Sequence, residues 1–354
     1  MKNDVQARLE LTERKQQMFK TKNFLFALLA ATLVLAGGLF IAASASQAQS
    51  AMSASAQASF ATPEEALQAL VAAAKDKDRA ALGKLFGADY DQLLSGDEVE
   101  DNKDLAEFAD AVQESAQLQQ VDDRKYTITV GKDNWPTPVP LVQRDGMWLF
   151  DTKAGLEEVI NRRVGEDELS AIATCRAYAV AQWEYYTEGD WDHDSVAEYA
   201  QRLISTPGKH DGLYWETAEG ENPSPLGKLI AAASAEGYAP SQGSPDVAGK
   251  GGADKEQASF EHAPYHGYYF KILIRQGASA PGGKYGYMIN GNMIAGYALV
   301  AYPDKWGNSG VMTFIVNQQG RVYEKNLGPN TGAIAAAMTE YNPDPSWKLV
   351  PTEP

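Results

Sequence analysis

The sequence predicts an α+β protein, with a helical and small-sheet N-terminal module followed by a C-terminal antiparallel meander with flanking helices. Between residues 62 and 112, apolar side chains recur at helical spacing, and from residue 125 the spacing changes to strict alternation. In the last third of the chain, several strand-like runs are separated by turn signals. Helices that precede an antiparallel sheet are typical of the α+β class.

An apolar run near the N-terminus indicates export. It covers residues 24–45, follows Lys20 and Lys22, and ends in small residues of the kind that a signal peptidase requires. We therefore expect residues 1–48 to be a signal peptide and the protein to be periplasmic or secreted. The alternative is a retained membrane anchor, because about 20 apolar residues can also span a bilayer.

The charge of the chain restricts its partners. The formal net charge is −16, and no cluster of Lys and Arg is present of the kind that a phosphate backbone requires, which argues against nucleic acid. We expect an envelope protein or a small ligand as partner, and contact with the membrane only through an uncleaved N-terminal segment. The single cysteine, Cys175, excludes an internal disulfide, and its apolar helical setting predicts a core residue and not a nucleophile.

The N-terminal module is predicted over residues 62–160, after a low-complexity spacer at 49–61. Thr62 and Glu65 form a capping box with Pro63 at the first helical position. Further helices are expected at 78–86 and around 105–112, followed by strands at 125–130, 138–143 and 147–150, the last two joined by a turn at Arg144-Asp145-Gly146. This order of elements resembles that of cystatin-like domains.

Residues 161–237 are predicted to form a helical segment. A first helix ends near Gly189, a second is expected over residues 195–204, and a third begins at Ser224 and ends at Gly237. The apolar stripe of the first helix is assigned to Leu169, Ile172, Ala173, Val180 and Trp183. Residues 238–262 are rich in Gly, Pro, Ser and Ala, and are predicted to be a flexible connection.

Residues 263–350 are predicted to form an antiparallel β module. Asn290-Gly291 is a type I′ turn signal, and Gly320 occupies a turn position that favours positive φ. Residues 311–316 are almost continuously apolar, so this strand is expected to be central and covered on both faces. The five predicted strands cover residues 268–275, 285–289, 293–302, 311–317 and 321–326.

An acidic loop is the candidate metal site. Carboxylates at alternate positions can converge on one hard cation such as calcium. The pattern departs from a calcium hand, which requires Gly and Glu where Ser195 and Gln201 stand. The alternative is a solvated loop whose last Asp caps the following helix. The predicted calcium ligands are Asp190, Asp192, Asp194 and Glu198.

Histidines and aromatic residues provide the other candidate site. His262 and His266 are four residues apart, but Pro264 lies between them and no third zinc ligand is nearby in sequence, so zinc is not expected. No nucleophile elbow is present, and the sequence assigns no catalytic residue. Dense aromatic clusters suit either a ligand groove or the core between the two halves. The predicted ligand-binding residues are Tyr214, Trp215, Tyr265, His266 and Tyr269.

Four strings in the chain resemble a known family. They are FGADYDQLLSGD (86–97), EYAQRLISTPGKHDGLYW (198–215), PYHGYYFKIL (264–273) and GYALVAYPDKWGNSGVMTFIVNQQGRVYEKNLG (296–328). They are similar to the secreted bacterial family numbered 2950 among domains of unknown function, over essentially the whole mature chain. The resemblance implies no activity, cofactor or catalytic residue. Our first hypothesis is a non-enzymatic binding or assembly component of the bacterial cell envelope, and the alternative is an envelope hydrolase with a site between the two halves.

Overall fold

The helices and strands fall into two groups, each built around its own hydrophobic core. The computed structural model describes residues 57–189, 191, 195–218, 220–238 and 263–351. The predicted signal peptide, most of the spacer and nearly all of the predicted connection at 238–262 lie outside these residues. Helices and antiparallel sheets are both present, which confirms the α+β class.

Four helices and a 3₁₀ turn begin the described chain. Polar side chains cap three of the helices: Thr62 Oγ1 accepts from the Glu65 N–H at 3.2 Å, Asp78 accepts from Ala80 N, and Asp97 accepts from Val99 N. The capping residues therefore begin the helices where the sequence predicts them at 62 and 78. The helices are α1 (Pro63–Lys75), α2 (Arg79–Phe86), α3 (Tyr90–Leu93) and α4 (Glu98–Glu114), with the 3₁₀ turn at Gly87–Asp89.

A five-stranded antiparallel sheet completes the N-terminal core. Its order is β1-β2-β4-β5, with β3 paired to β2. Asp145 and Gly146 have φ of 52° and 80°, so the tight turn between β4 and β5 forms as predicted. Helices α1 and α4 pack against this sheet. The strands are β1 (Ala116–Asp122), β2 (Lys125–Val130), β3 (Trp135–Pro136), β4 (Leu141–Arg144) and β5 (Met147–Phe150).

A 37-residue helix, α5 (Thr152–Glu188), connects the two cores. Near its start it lies against the N-terminal core: a Cβ on Gly155 would come within 2.6 Å of the Pro138 carbonyl oxygen. The predicted apolar stripe is wrong in phase, because Leu169 and Trp183 are 45% and 54% exposed. The buried face is more polar than the predicted stripe. It includes Asp167, Ala171, Thr174, Cys175, Tyr178, Ala181, Gln182 and Tyr185.

The helix predicted over residues 195–204 is absent. Ser195 has φ of 68°, outside the helical region, and the backbone after it bonds to other elements. The Tyr199 N–H donates to the Met293 carbonyl at 2.8 Å, and the Ala200 N–H donates to Gln182 Oε1 at 2.8 Å. Because partners distant in sequence take these donors, the segment is irregular despite its helical spacing of apolar residues.

The C-terminal core surrounds a second five-stranded antiparallel sheet, of order β14-β13-β12-β11-β6. Every residue of the central strand β12 is buried, as predicted from its apolar run. The strands of this sheet are β6 (Tyr268–Leu273), β11 (Ala298–Pro303), β12 (Thr313–Asn317), β13 (Tyr323–Lys325) and β14 (Lys348–Leu349).

Two short hairpins and two helices accompany this sheet. Asn290 and Gly291 have φ of 53° and 94°, which confirms the type I′ turn signal between β9 and β10. The hairpins are β7 (Arg275–Gln276) with β8 (Tyr285–Gly286), and β9 (Met288–Ile289) with β10 (Asn292–Met293); the helices are α6 (Gly227–Glu236) and α7 (Thr331–Ala337). Among the described residues, no helix is long and apolar enough to cross a membrane.

Candidate functional site

The predicted calcium loop is described only in part. Asp190, Asp192 and Asp194 lie outside the described residues. Glu198 is described, and its Oε2 accepts from the Met293 N–H at 3.1 Å and from Gln201 Nε2 at 3.3 Å. Glu198 thus helps to hold the β9–β10 hairpin, and calcium binding by the loop remains a prediction.

The predicted aromatic residues take part in several different ring contacts. Trp215 is half-buried; its ring stacks on the exposed His210 at 4.3 Å and lies 4.9 Å from Trp191. Tyr214 is also half-buried, and its backbone pairs with Leu203. These two residues border the C-terminal core, so their contacts are those of packed side chains.

The other three predicted residues precede or begin β6. Tyr265 is buried, and its ring contacts Tyr238 at 5.0 Å and His266 at 4.5 Å. Tyr269 is half-buried and packs against Tyr302 at 5.6 Å. Of the predicted ligand-binding residues, His266 is the one that belongs to a cluster of closely spaced carboxylate and imidazole groups.

Glu100, Asp167 and His266 form a carboxylate–histidine cluster. One ligand atom from each residue lies within 4.8 Å of the other two. Asp167 is 1% exposed and Glu100 is 7% exposed, while the imidazole of His266 retains 14% exposure. The three residues are distant in sequence: Glu100 is on α4, Asp167 is near the middle of α5, and His266 is in the turn before β6.

Local hydrogen bonds fix the backbone at Glu100 and at His266. Glu100 is in the first turn of α4, where its N–H donates to the capping side chain of Asp97 at 3.3 Å. His266 has φ of 44° and Gly267 has φ of 66°, in a turn closed by mutual backbone bonds of Tyr265 and Tyr268 at 2.9 and 3.1 Å.

The turn lies directly on the Asp167 carboxylate. A Cβ on Gly267 would be 2.7 Å from Asp167 Oδ2 and 2.6 Å from the Ser309 Cβ, so no side chain fits at this position. The imidazole has a further carboxylate partner, because His266 Nε2 is 2.8 Å from Glu236 Oε2. The carboxylate and the imidazole are thus held at a fixed separation by backbone packing and by Glu236.

The buried negative charges of the cluster lack hydrogen-bond partners. Among the described residues, no hydrogen-bond partner is found for either carboxylate oxygen of Asp167 or for Oε2 of Glu100. The nearby guanidinium of Arg163 donates instead to Asn308 Oδ1, at 2.7 Å, and to the Leu93 carbonyl. A buried charge without such a partner costs several kcal/mol, so the cluster requires a proton or a bound cation.

The pKa shifts have the same cause. Burial raises the pKa of Asp167 well above its ordinary value; the Glu100 carboxylate raises it further, and Arg163 opposes this. Asp104 lies one turn after Glu100. Its pKa is raised by desolvation within the surrounding protein, and then by the carboxylates of Glu100 and Glu166. The Asp104 side chain remains exposed, so water screens part of that interaction.

Exposed acidic residues lie beside the buried cluster. Asp104 and Glu107 follow Glu100 on α4 at spacings of four and three residues, which places all three along one side of the helix. Glu166, on α5, is also exposed, and its charge acts on both Asp104 and Asp167. Negative charges of this kind at the surface raise the local concentration of cations.

The ligand chemistry of the cluster suits a divalent transition-metal ion. Two carboxylates and an imidazole are a ligand set that zinc, manganese or iron takes, whereas calcium prefers oxygen ligands alone. The residues thus fit a metal ion in both type and spacing. The same carboxylates are poorly placed for hydrolysis, because a substrate could not reach two side chains that are almost fully buried.

Sequence reasoning did not find Glu100 or Asp167, and it excluded zinc at His266 because it searched only for ligands close in sequence. The structure, and not the sequence, identifies the face of α5 that carries Asp167 as buried. Asp167 lies four residues before Ala171 and seven before Thr174, on the face of α5 that is buried. A carboxylate on a buried helical face is rare unless it is paired or functional.

The fold and this cluster define an α+β protein with a buried carboxylate–histidine site. Residues 57–350 match the family model described as "Protein of unknown function (DUF2950)". The match covers most of the chain, so the protein belongs to this family, as the resemblance of its sequence strings predicts. No curated protein and no solved structure matches the chain.

Proposed function

We propose that this protein is an exported, non-enzymatic binding protein of the bacterial cell envelope, and that its ligand is a divalent transition-metal ion held by Glu100, Asp167 and His266. The observation that carries the proposal is the meeting of two buried carboxylates and an imidazole within 4.8 Å, with three carboxylate oxygens unpartnered among the described residues. A positive charge, as a proton or a metal ion, satisfies these oxygens.

The metal ion is the better of these two ligands for the geometry. A shared proton would satisfy Glu100 and Asp167 but would leave the approach of the imidazole unexplained. His266 is held toward the cluster by a positive-φ turn and by Glu236, which contacts its Nε2. A carboxylate that orients a metal-binding histidine in this way is a common feature of metal sites.

The location in the envelope is supported by the apolar run at residues 24–45 and by the small residues that follow it. A net charge of −16 is consistent with a protein that attracts cations. In this proposal Asp104, Glu107 and Glu166 form an acidic approach to the site, because all three are exposed and the charges of Asp104 and Glu166 interact with the buried carboxylates.

The alternative of a hydrolase receives less support. His210 is exposed and stacks on Trp215, and His262 lies outside the described residues. His266 does have ionisable neighbours, but Glu100 and Asp167 are closed to a substrate by burial, and Glu236 is already bonded to the imidazole. We therefore favour binding over catalysis.

Isothermal titration calorimetry on the full chain tests the proposal. After treatment with EDTA and removal of the chelator, Zn²⁺ or Mn²⁺ should bind with one ion per chain, and Ca²⁺ should not compete for this site. Asp167→Asn and Glu100→Gln should each weaken binding by at least about tenfold. Glu64→Gln is the matched control, because Glu64 is an exposed carboxylate at the start of α1.

The outcomes are distinguishable. Equal binding by the wild type and both cluster variants would place any metal elsewhere. Loss of binding in Glu64→Gln as well would indicate a nonspecific effect of net charge. Binding of Ca²⁺ that depends on Asp192 and not on Asp167 would instead support the predicted acidic loop.

A further inference from the structure

We infer that the metal ion is a clasp that fixes the segment Leu93–Glu100 to the C-terminal core. This inference rests on the proposed function and adds that metal binding is coupled to the docking of this segment. We call Leu93–Glu100 the docking segment; it joins α3 to the first turn of α4 and belongs to the N-terminal half of the protein.

Polar groups of the C-terminal half hold the docking segment at several points. Arg163 donates both to the Leu93 carbonyl and to Asn308 Oδ1. Asn308 Nδ2 in turn donates to the Ser95 carbonyl at 3.0 Å. The loop after β11 is thus connected to the docking segment both directly and through Arg163 on α5.

Two further contacts lie toward the end of the segment. The hydroxyl of Tyr238 donates to Asp97 Oδ2 at 3.0 Å. Gly96, with φ of 84°, lies next to the side-chain amine of Lys305, which is in the loop after β11. These contacts are polar, and such contacts stabilise modestly because water competes for the same groups.

Within the described parts of the chain, the buried apolar side chains do not form one core across this boundary. The buried apolar side chains separate into one cluster that includes Leu70, Leu82 and Phe150 and another that includes Phe270, Leu299 and Phe314. The docking segment lies where the two halves meet through hydrogen bonds. A contact made of polar groups can open at lower cost than one that buries apolar area.

The cluster spans the same boundary. Glu100 is the last residue of the docking segment, whereas Asp167 and His266 belong to the side that packs around the C-terminal core. A metal ion bonded to all three residues therefore adds strong bonds across the boundary. When no ion is bound, the adjacent Glu100 and Asp167 carboxyl groups cannot both ionise, so a proton must take the place of the ion.

Thermodynamic linkage makes the inference quantitative. If a bound ion strengthens docking by some factor, then docking strengthens ion binding by the same factor. A substitution that weakens docking without touching a ligand should consequently lower metal affinity. Asn308 meets this condition, because its side chain bonds to Arg163 and to the Ser95 carbonyl and is not part of the cluster.

Hydrogen–deuterium exchange and calorimetry on the full chain test the clasp. Saturating Zn²⁺ should slow exchange in peptides covering residues 93–105 by at least about tenfold, with no comparable change in β12. The effect should disappear in Asp167→Asn. Asn308→Ala should lower Zn²⁺ affinity severalfold, whereas Asn342→Ala, whose side chain accepts from the Ser279 N–H within the C-terminal half, should not.

Each result has a definite meaning. Absence of Zn²⁺ binding in the calorimeter would overturn the proposed function and the clasp together. Normal Zn²⁺ binding with unchanged exchange at residues 93–105 would overturn the clasp alone. Equal affinities of the wild type and Asn308→Ala would do the same, since linkage requires a loss whenever docking and binding are coupled.

Discussion

Replacement of Asp167 by Asn should stabilise the metal-free protein and abolish its response to metal. Asp167 is 1% exposed, lies beside Glu100, and has no hydrogen-bond partner among the described residues for either oxygen. Asn has nearly the same shape but no charge. Its amide can also donate to Glu100 Oε2, which lacks a partner in the wild type.

The expected gain in stability follows from the free energy needed to keep the buried Asp167 carboxyl group protonated at pH 7. At pH 7, protonation of a carboxyl with an ordinary pKa of about 3.9 costs about 4 kcal/mol, which is the upper limit of the gain. Relaxation of the apo site and entry of water reduce this value, so we expect a gain of about 1–3 kcal/mol. For a chain of this size, such a gain corresponds to a rise in Tm of about 2–6 °C.

Thermal melts at pH 7 provide the assay, first in EDTA and then in excess Zn²⁺. In EDTA the variant should melt above the wild type. In Zn²⁺ the wild type should gain stability and the variant should not, because binding to the native state alone raises the melting temperature. A variant that melts below the wild type in EDTA and still gains from Zn²⁺ would refute the reasoning about both charge and ligand.

Three further predictions concern the same region and the buried core. Gly267→Ala should destabilise the protein by about 2–4 kcal/mol in urea denaturation, against about 1 kcal/mol for Gly283→Ala, because both have positive φ but only Gly267 packs against Asp167 and Ser309. In EDTA, the free energy of unfolding of the wild type should fall between pH 6 and pH 8 more steeply than that of Asp167→Asn. The pKa of Asp167 is raised in the folded state, and the stability that its bound proton gives is lost as the pH rises. Equal slopes for the two proteins would contradict this. Cys175 is fully buried, and burial raises its pKa to about 12, so a thiol reagent should label it only after unfolding; rapid labelling of the native protein would disprove its core position.

Local signals in the sequence predicted much of the fold. Asn290-Gly291 and Asp145-Gly146 form their turns because few other residue pairs accept positive φ at successive positions. Thr62 and Asp78 cap their helices because their side-chain oxygens accept backbone N–H groups. Such signals act over a few residues, and the sequence alone is enough to interpret them.

Errors occurred where distant partners decide the local structure. Residues 195–204 have helical spacing, but Met293 and Gln182 bond to the backbone N–H groups of Tyr199 and Ala200. On α5 the most hydrophobic stripe, with Leu169 and Trp183, is not the buried face. A mixture of polar, small and tyrosine side chains is buried instead because the C-terminal sheet packs against that face, and hydropathy alone does not reveal this.

The candidate site was beyond sequence reasoning for the same reason. Glu100, Asp167 and His266 are far apart along the chain, and no spacing rule links them. Tertiary packing brings them together, through the turn at Gly267 that lies on the Asp167 carboxylate. Only His266 was singled out beforehand, as one of a group of ring residues suited to a ligand groove.

The cost of this cluster is itself an argument for a ligand. Replacement of two buried carboxylates by apolar or amide side chains would remove a penalty of several kcal/mol, so a chain that needed only stability would gain from such a change. The protein contains a guanidinium near Asp167 but directs it to the Leu93 carbonyl and Asn308. It holds the imidazole against the carboxylates with a backbone conformation that non-glycine residues rarely adopt. The unpartnered carboxylate oxygens are unfavourable without a cation and become favourable when one binds beside the imidazole, and this is why we assign the cluster a binding role.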